Sequence, residues 1–113
     1  SPGFDKETSD YLKEVDVPYI PGAVTPTEIM QILASGRNIV KFFPASNYGG
    51  LKTIKALSGP FKDVKFLPTG GIDETNIKEY LACENIIAIG GSSTIDFSIN
   101  CYISFSCFLS IIP

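Results

Sequence analysis

Histidine and tryptophan are both missing from this chain of 113 residues. Without histidine, no imidazole can activate a serine or cysteine nucleophile, and no histidine-ligated metal centre can form. Cysteine is sparse. Cys83, Cys101 and Cys107 are odd in number and never in C-x-x-C spacing, so neither a zinc site nor a disulfide framework is expected. Basic residues are scattered, nine against twelve acidic, with a net charge of −3. There is no positive stripe for a nucleic-acid partner. The opening SPGFDKETSDYLKE lacks a basic segment followed by an apolar one. No secretory signal is expected, and a reducing, cytoplasmic setting is. Charge is also absent from residues 97–113, FSINCYISFSCFLSIIP. That stretch is slightly short for a membrane span and is interrupted by serine. It reads as an atypical apolar tail in place of a final helix, and no membrane partner is expected.

Four short apolar runs, VPYIPG, IVKFFPA, VKFLPTGG and IIAIGGS, are rich in β-branched and aromatic residues and end in Pro or Gly. They read as strands. Helical segments separate them. In TPTEIMQILASG, Thr25, Pro26 and Glu28 form a capping-box start, Ile29, Ile32 and Leu33 an apolar face, and Gly36 a stop. GGLKTIKALSGP turns Leu51, Ile54 and Leu57 to one side. DETNIKEYLA offers Asp73 as a cap and Ile77, Tyr80 and Leu81 as an inner face. DKETSDYLKE predicts one more helix ahead of the first strand. Strands alternating with helices imply parallel β/α units. A closed (β/α)8 TIM barrel takes eight such units and about 250 residues. This sequence holds about four, so the expectation is the second half of a barrel over 1–95, with the tail at 96–113.

Lys41 lies within the second run. Ile39, Lys41 and Phe43 share one strand face, and Val40 and Phe42 the other. Lys41 is near the strand's C-terminal end, where barrel active sites are built. A partly desolvated lysine favours the neutral amine, the form that attacks a carbonyl to make a Schiff base. A lysine snorkelling outward at an edge is the other reading, and the strand alone leaves both open. Gly70-Gly71 and Gly90-Gly91-Ser92 follow the last two strands. Glycines there let backbone N–H groups approach an anion, and barrel phosphate sites often lie in these loops. Ordinary turns are the alternative. Gly49-Gly50 reads as shaping a helix entry. Thr69 could bond a substrate or cap its own turn. Lys65, further from the strand exits, reads as a solvated or interstrand charge.

Taken together, SPG, PYIPGAVTPTEIM, VKFFPAS, GPF, FLPTGGI and IGGSS resemble the 2-keto-3-deoxy-6-phosphogluconate (KDPG) and 4-hydroxy-2-oxoglutarate (KHG) aldolase family over residues 1 to about 95. The resemblance implies a class I aldolase on a (β/α)8 barrel, working without metal or cofactor and typically trimeric. Its substrates would be small phosphorylated keto acids cleaved to pyruvate and a triose phosphate. Lys41 would match the Schiff-base lysine, and Thr69, Gly70, Gly71, Gly90, Gly91 and Ser92 the substrate and phosphate site. The family's general acid/base glutamate, and the arginine and threonine that hold the substrate carboxylate, belong to an earlier half that the resemblance does not reach. Where the family often has an acidic residue after K-F-F-P-A, this chain has Ser46. Two other readings stand beside the aldolase: a phosphate-binding barrel isomerase or synthase, and an inactive half-barrel fragment.

Overall fold

The computed structural model of the chain describes residues 1–91. Asp5 opens the first helix, α1 (Lys6–Glu14), by accepting the Thr8 N–H at 2.9 Å. The Thr8 hydroxyl and N–H hold the Asp5 carboxyl below its ordinary range. Thr25 opens α2 (Pro26–Ala34) with the expected capping box. The Glu28 N–H donates to the Thr25 hydroxyl, and the Glu28 carboxylate accepts the Thr25 N–H at 3.1 Å. Ile29 and Ile32 are fully buried on α2, whereas Leu33 is 36% exposed. Leu33 sits about 100° round from Ile32, at the margin of the face that meets the sheet. Gly36 adopts φ 84° and ends the helix as expected.

The next elements are β1 (Ile39–Phe42), a 3-10 turn at Ser46–Tyr48, α3 (Gly50–Ser58), β2 (Lys65–Pro68) and α4 (Ile77–Leu81). β1 and β2 are parallel, with Ile39 opposite Lys65 and Lys41 opposite Leu67. The two outer apolar runs lie beside them through isolated parallel bridges, not as full strands. Gly22 bridges Lys41, Ile86 bridges Phe66, and Gly90 bridges Thr69. The cause is donor chemistry. Pro18 and Pro21 take N–H groups out of the first run, and Pro68 takes one out of β2 where the last run would pair. The spatial order is still that of the chain, with all four segments parallel.

The core lies on one side of this sheet. Val40, Phe42 and Phe66 are fully buried there with Ile29, Ile32 and Ile54 from the helices. The Phe42 and Phe66 rings meet edge to face, 6.3 Å apart. Ile77 and Tyr80 close the same layer, while Leu51 and Leu81 pack at its margin. Asp73 does not cap α4, whose N-cap is Asn76. Asp73 instead accepts the Thr75 N–H and hydroxyl across a local turn, and those bonds lower its pKa. The tail at 96–113 lies outside the described residues.

Arg37 fastens α1 to the sheet. Its guanidinium donates to the buried Ser9 hydroxyl and to Ser9 O, each at 2.9 Å, and to Tyr19 O at 3.3 Å. It also lies 5.0 Å over the Tyr19 ring. Lysine would keep the charge and lose the planar fork. Arg37→Lys is expected to lower stability by about 1–3 kcal/mol, read as a lower urea midpoint. An unchanged midpoint would show that the clamp contributes nothing.

Candidate active site

Lys41 is held from both sides. Its N–H donates to Pro21 O at 2.8 Å, and its carbonyl accepts the Ala23 N–H at 3.0 Å. β2 flanks the other edge, with Leu67 opposite. Its side chain is half-buried on the face away from the core, beside Ile39 and Phe43, while Phe42 points into the core. The amine is 5.0 Å from the centre of the Phe43 ring. Among the described residues it has no carboxylate partner; the ion pair there joins Lys6 and Asp10. β1 is an inner strand, so Lys41 is not turned outward at a sheet edge.

The exits of β1 and β2 are stapled by main-chain bonds. Thr69 N–H donates to Phe42 O at 2.9 Å, Ala45 N–H to Thr69 O at 2.8 Å, and Ser46 N–H to Gly70 O at 3.2 Å. Gly90 N–H donates to Pro68 O at 2.9 Å, which brings the last apolar run alongside. Lys41, Thr69, Gly70, Gly71 and Gly90 are thereby gathered at one end of the sheet, and Gly91 follows directly. Ser92 lies outside the described residues. Lys65 sits opposite Ile39, at the far end of β2, as its reading as a non-catalytic charge requires.

Gly70 and Gly71 adopt φ values of 105° and 72°, a left-handed conformation that favours glycine. A side chain on Gly71 would collide with the Ser46 hydroxyl, and one on Gly90 with the Thr69 hydroxyl. The N–H groups of Gly70, Gly71 and Ile72 have no acceptor among the described residues. Consecutive free N–H groups on a left-handed turn form a concavity suited to an anion. Beside it, the Thr69 hydroxyl is buried without a hydrogen-bond partner among the described residues. A buried hydroxyl left unpartnered in a fold is costly unless something binds it. Gly49 and Gly50, at φ 92° and 56°, shape the entry to α3 as expected. A Cβ at Gly50 would come within 2.6 Å of the Tyr80 hydroxyl, whose pKa burial pushes up.

Phe43 and Ser46 belong to this site by position, and neither was singled out from sequence as a candidate. Phe43 was detectable as the residue two beyond Lys41 on the same face. Ser46 owes its place to the fold of the loop, which no local pattern announces. The groove between α1 and α2, lined by Lys6, Asp10, Lys13 and Gln31 among others, is formed by helices and not by the strand exits.

The family model for KDPG and KHG aldolase matches residues 1–102, and the chain belongs to that family. The KHG/KDPG aldolase of Escherichia coli is 42% identical over 92 residues, which are 81% of this chain and 43% of that protein. The 2-dehydro-3-deoxy-phosphogluconate aldolase of Haemophilus influenzae is 44% identical over the same length and share of this chain, again 43% of its own. The chain thus spans less than half the length of these curated relatives. Among solved structures, the Legionella pneumophila KDPG aldolase, with pyruvate captured as a covalent carbinolamine, superposes with a TM-score of 0.78 at 44% identity. That match covers 81% of this chain and 45% of the other. The Zymomonas mobilis enzyme with 3-phosphoglycerate gives 0.77 at 31% identity, over 85% and 48%. The fold is accordingly that of an α/β barrel-type aldolase, here with a small parallel sheet.

Thr69→Val replaces the unpartnered hydroxyl by a methyl of similar size. Stability is expected to hold or to rise by up to about 1 kcal/mol, while affinity for an anionic keto acid falls. A clear loss of stability would mean that the hydroxyl has a structural partner.

Proposed function

We propose that this chain carries the amine and anion-binding portion of a class I aldolase. Its substrate would be 2-keto-3-deoxy-6-phosphogluconate, cleaved to pyruvate and glyceraldehyde 3-phosphate, with 4-hydroxy-2-oxoglutarate, cleaved to pyruvate and glyoxylate, as a second. The observation that carries this reading is the placement of Lys41. Its amine stands on the face of the sheet away from the core, one strand from the Gly70–Ile72 turn, and among the described residues neither the amine has a carboxylate partner nor the three N–H groups of that turn an acceptor. Family membership and the relatives' names support it.

In this mechanism Lys41 Nζ attacks the C2 ketone. The resulting iminium draws in the electron pair released when the carbon–carbon bond breaks, so an amine takes the place of a metal as electron sink. Thr69 would bond an oxygen of the keto-acid portion. Gly70 and Gly71, with Gly90, Gly91 and Ser92 from the last run, would cradle the phosphate. The unit is residues 1–95, read as about four β/α units of a (β/α)8 barrel, with 96–113 a separate tail. Among the described residues no helix is long and apolar enough to cross a membrane, and a cytoplasmic setting fits this chemistry.

The open face also implies association. Ile86 is buried against the sheet, but its neighbour Ile87 is 42% exposed and Phe43 is 37% exposed. Each large apolar side chain left uncovered forgoes about 1.5–3 kcal/mol of burial. Residues 1–3 bond the outer edge of the first run, Gly22 N–H to Gly3 O at 2.9 Å and the Ser1 ammonium to Ile20 O at 3.0 Å, whereas the outer edge of the last run has no partner strand among the described residues. The chain is expected to self-associate through this face, as a closed barrel would cover it.

Incubation with pyruvate and borohydride, followed by digestion, is expected to place the reduced adduct on Lys41 and to lose it in Lys41→Arg. An adduct on Lys65 instead would overturn the assignment. Aldol cleavage by the chain alone is expected to be at least about 100-fold below that of the full-length relatives, the usual worth of a missing general acid/base. A monodisperse monomer with full cleavage activity would contradict the reading.

A further inference from the structure

The close partner of the Lys41 amine is an aromatic ring. Nζ lies 5.0 Å from the centre of the Phe43 ring, within the range at which a cation is attracted by the negative face of the π system. Both side chains leave the same face of the chain, two residues apart. Phe43 keeps this position while 37% exposed, although Phe42, its neighbour, is fully buried. An apolar ring held just past the end of β1, over the Lys41 amine, calls for a reason other than core packing.

On the Schiff-base path the nitrogen of Lys41 gains a positive charge when the carbinolamine becomes the iminium. It is neutral in the free amine and in the carbinolamine. A ring face stabilises the charged forms, and unlike a carboxylate it does not repel the carboxylate of an incoming keto acid. We propose that Phe43 is a positioning residue for Lys41, whose ring face stabilises the positive charge that develops on Nζ as the carbinolamine dehydrates to the iminium. In that step the nitrogen lone pair forms the C=N bond and the C–O bond breaks. The departing hydroxyl takes a proton from solvent and leaves as water, and the positive charge stays on nitrogen. The proposal rests on the reading of Lys41 as the Schiff-base amine.

The test uses the full chain and its Phe43→Leu and Phe43→Tyr variants. Each is incubated with pyruvate and borohydride, and the Lys41 adduct is quantified by mass spectrometry. Phe43→Leu, which fills similar space without a ring, is expected to reduce the adduct about three- to tenfold, and Phe43→Tyr to stay within about twofold of the parent. In parallel, the lysines are reductively methylated with a carbon-13 label, which preserves their charge. The Lys41 methyl signal should be shifted upfield by the ring current in the parent and in Phe43→Tyr, and should lose that shift in Phe43→Leu. Equal adduct in all three chains, or equal losses in both variants, would overturn the proposal. A ring-shifted Lys41 signal with no adduct on any lysine would show that the contact is real but serves no imine. That outcome would overturn the Schiff-base reading itself, whereas an adduct indifferent to Phe43 overturns only the role of the ring.

Discussion

The parallel pairing of β1 on both of its edges is the constraint from which the rest follows. One edge takes Pro21 and Ala23, bonded to Lys41 N–H and C=O, and the other takes β2. A strand bonded on both sides cannot rotate, so its alternation of side chains is fixed. Val40 and Phe42 must enter the core, and Ile39 and Lys41 must take the other face. The burial of Phe42 against Phe66 and the helical isoleucines then stabilises that choice of face. A slip of one residue would turn Lys41 into the apolar layer and Phe42 out of it.

The same pairing carries through to the strand exits. Ala45 and Ser46 donate to Thr69 and Gly70, so the loop after β1 and the turn after β2 move as one piece. That coupling presses Ser46 against Gly71 and leaves no room for a side chain there. The N–H groups of the left-handed Gly70 and Gly71 have no acceptor among the described residues, the arrangement that suits an anion. Local backbone chemistry, packing and a prospective ligand site are thus three consequences of one register.

The repeat of strand and helix was readable because its signals are local. The T-P-T-E start of α2, the two inner β-branched runs and the Gly36 stop each act within a few residues, and each falls where the sequence points. The candidate amine was readable too, as a charge set inside an apolar run. What the sequence withheld depends on distance. The outer runs look as strand-like as the inner ones, but prolines reduce them to isolated bridges. Asp73 has the residue type of a cap, yet its carboxylate is taken by Thr75. Ser46 reaches Gly71 only because two loops are stapled 25 residues apart in the chain, a separation given by their numbers. The unpartnered Thr69 hydroxyl is likewise a property of its surroundings, invisible in its own tripeptide.

If this face of the sheet holds the amine and the anion cradle, the groups still required for carbon–carbon cleavage must come from the portion of the relatives that this chain does not span. The most direct measurement is complementation. The chain would be mixed with the separately produced, unmatched portion of the Escherichia coli KHG/KDPG aldolase, and release of pyruvate from 2-keto-3-deoxy-6-phosphogluconate followed. The account predicts cleavage that rises with the added portion, saturates at one per chain, and vanishes with Lys41→Arg. A complex that forms but stays inactive, or activity that survives the loss of Lys41, would contradict it.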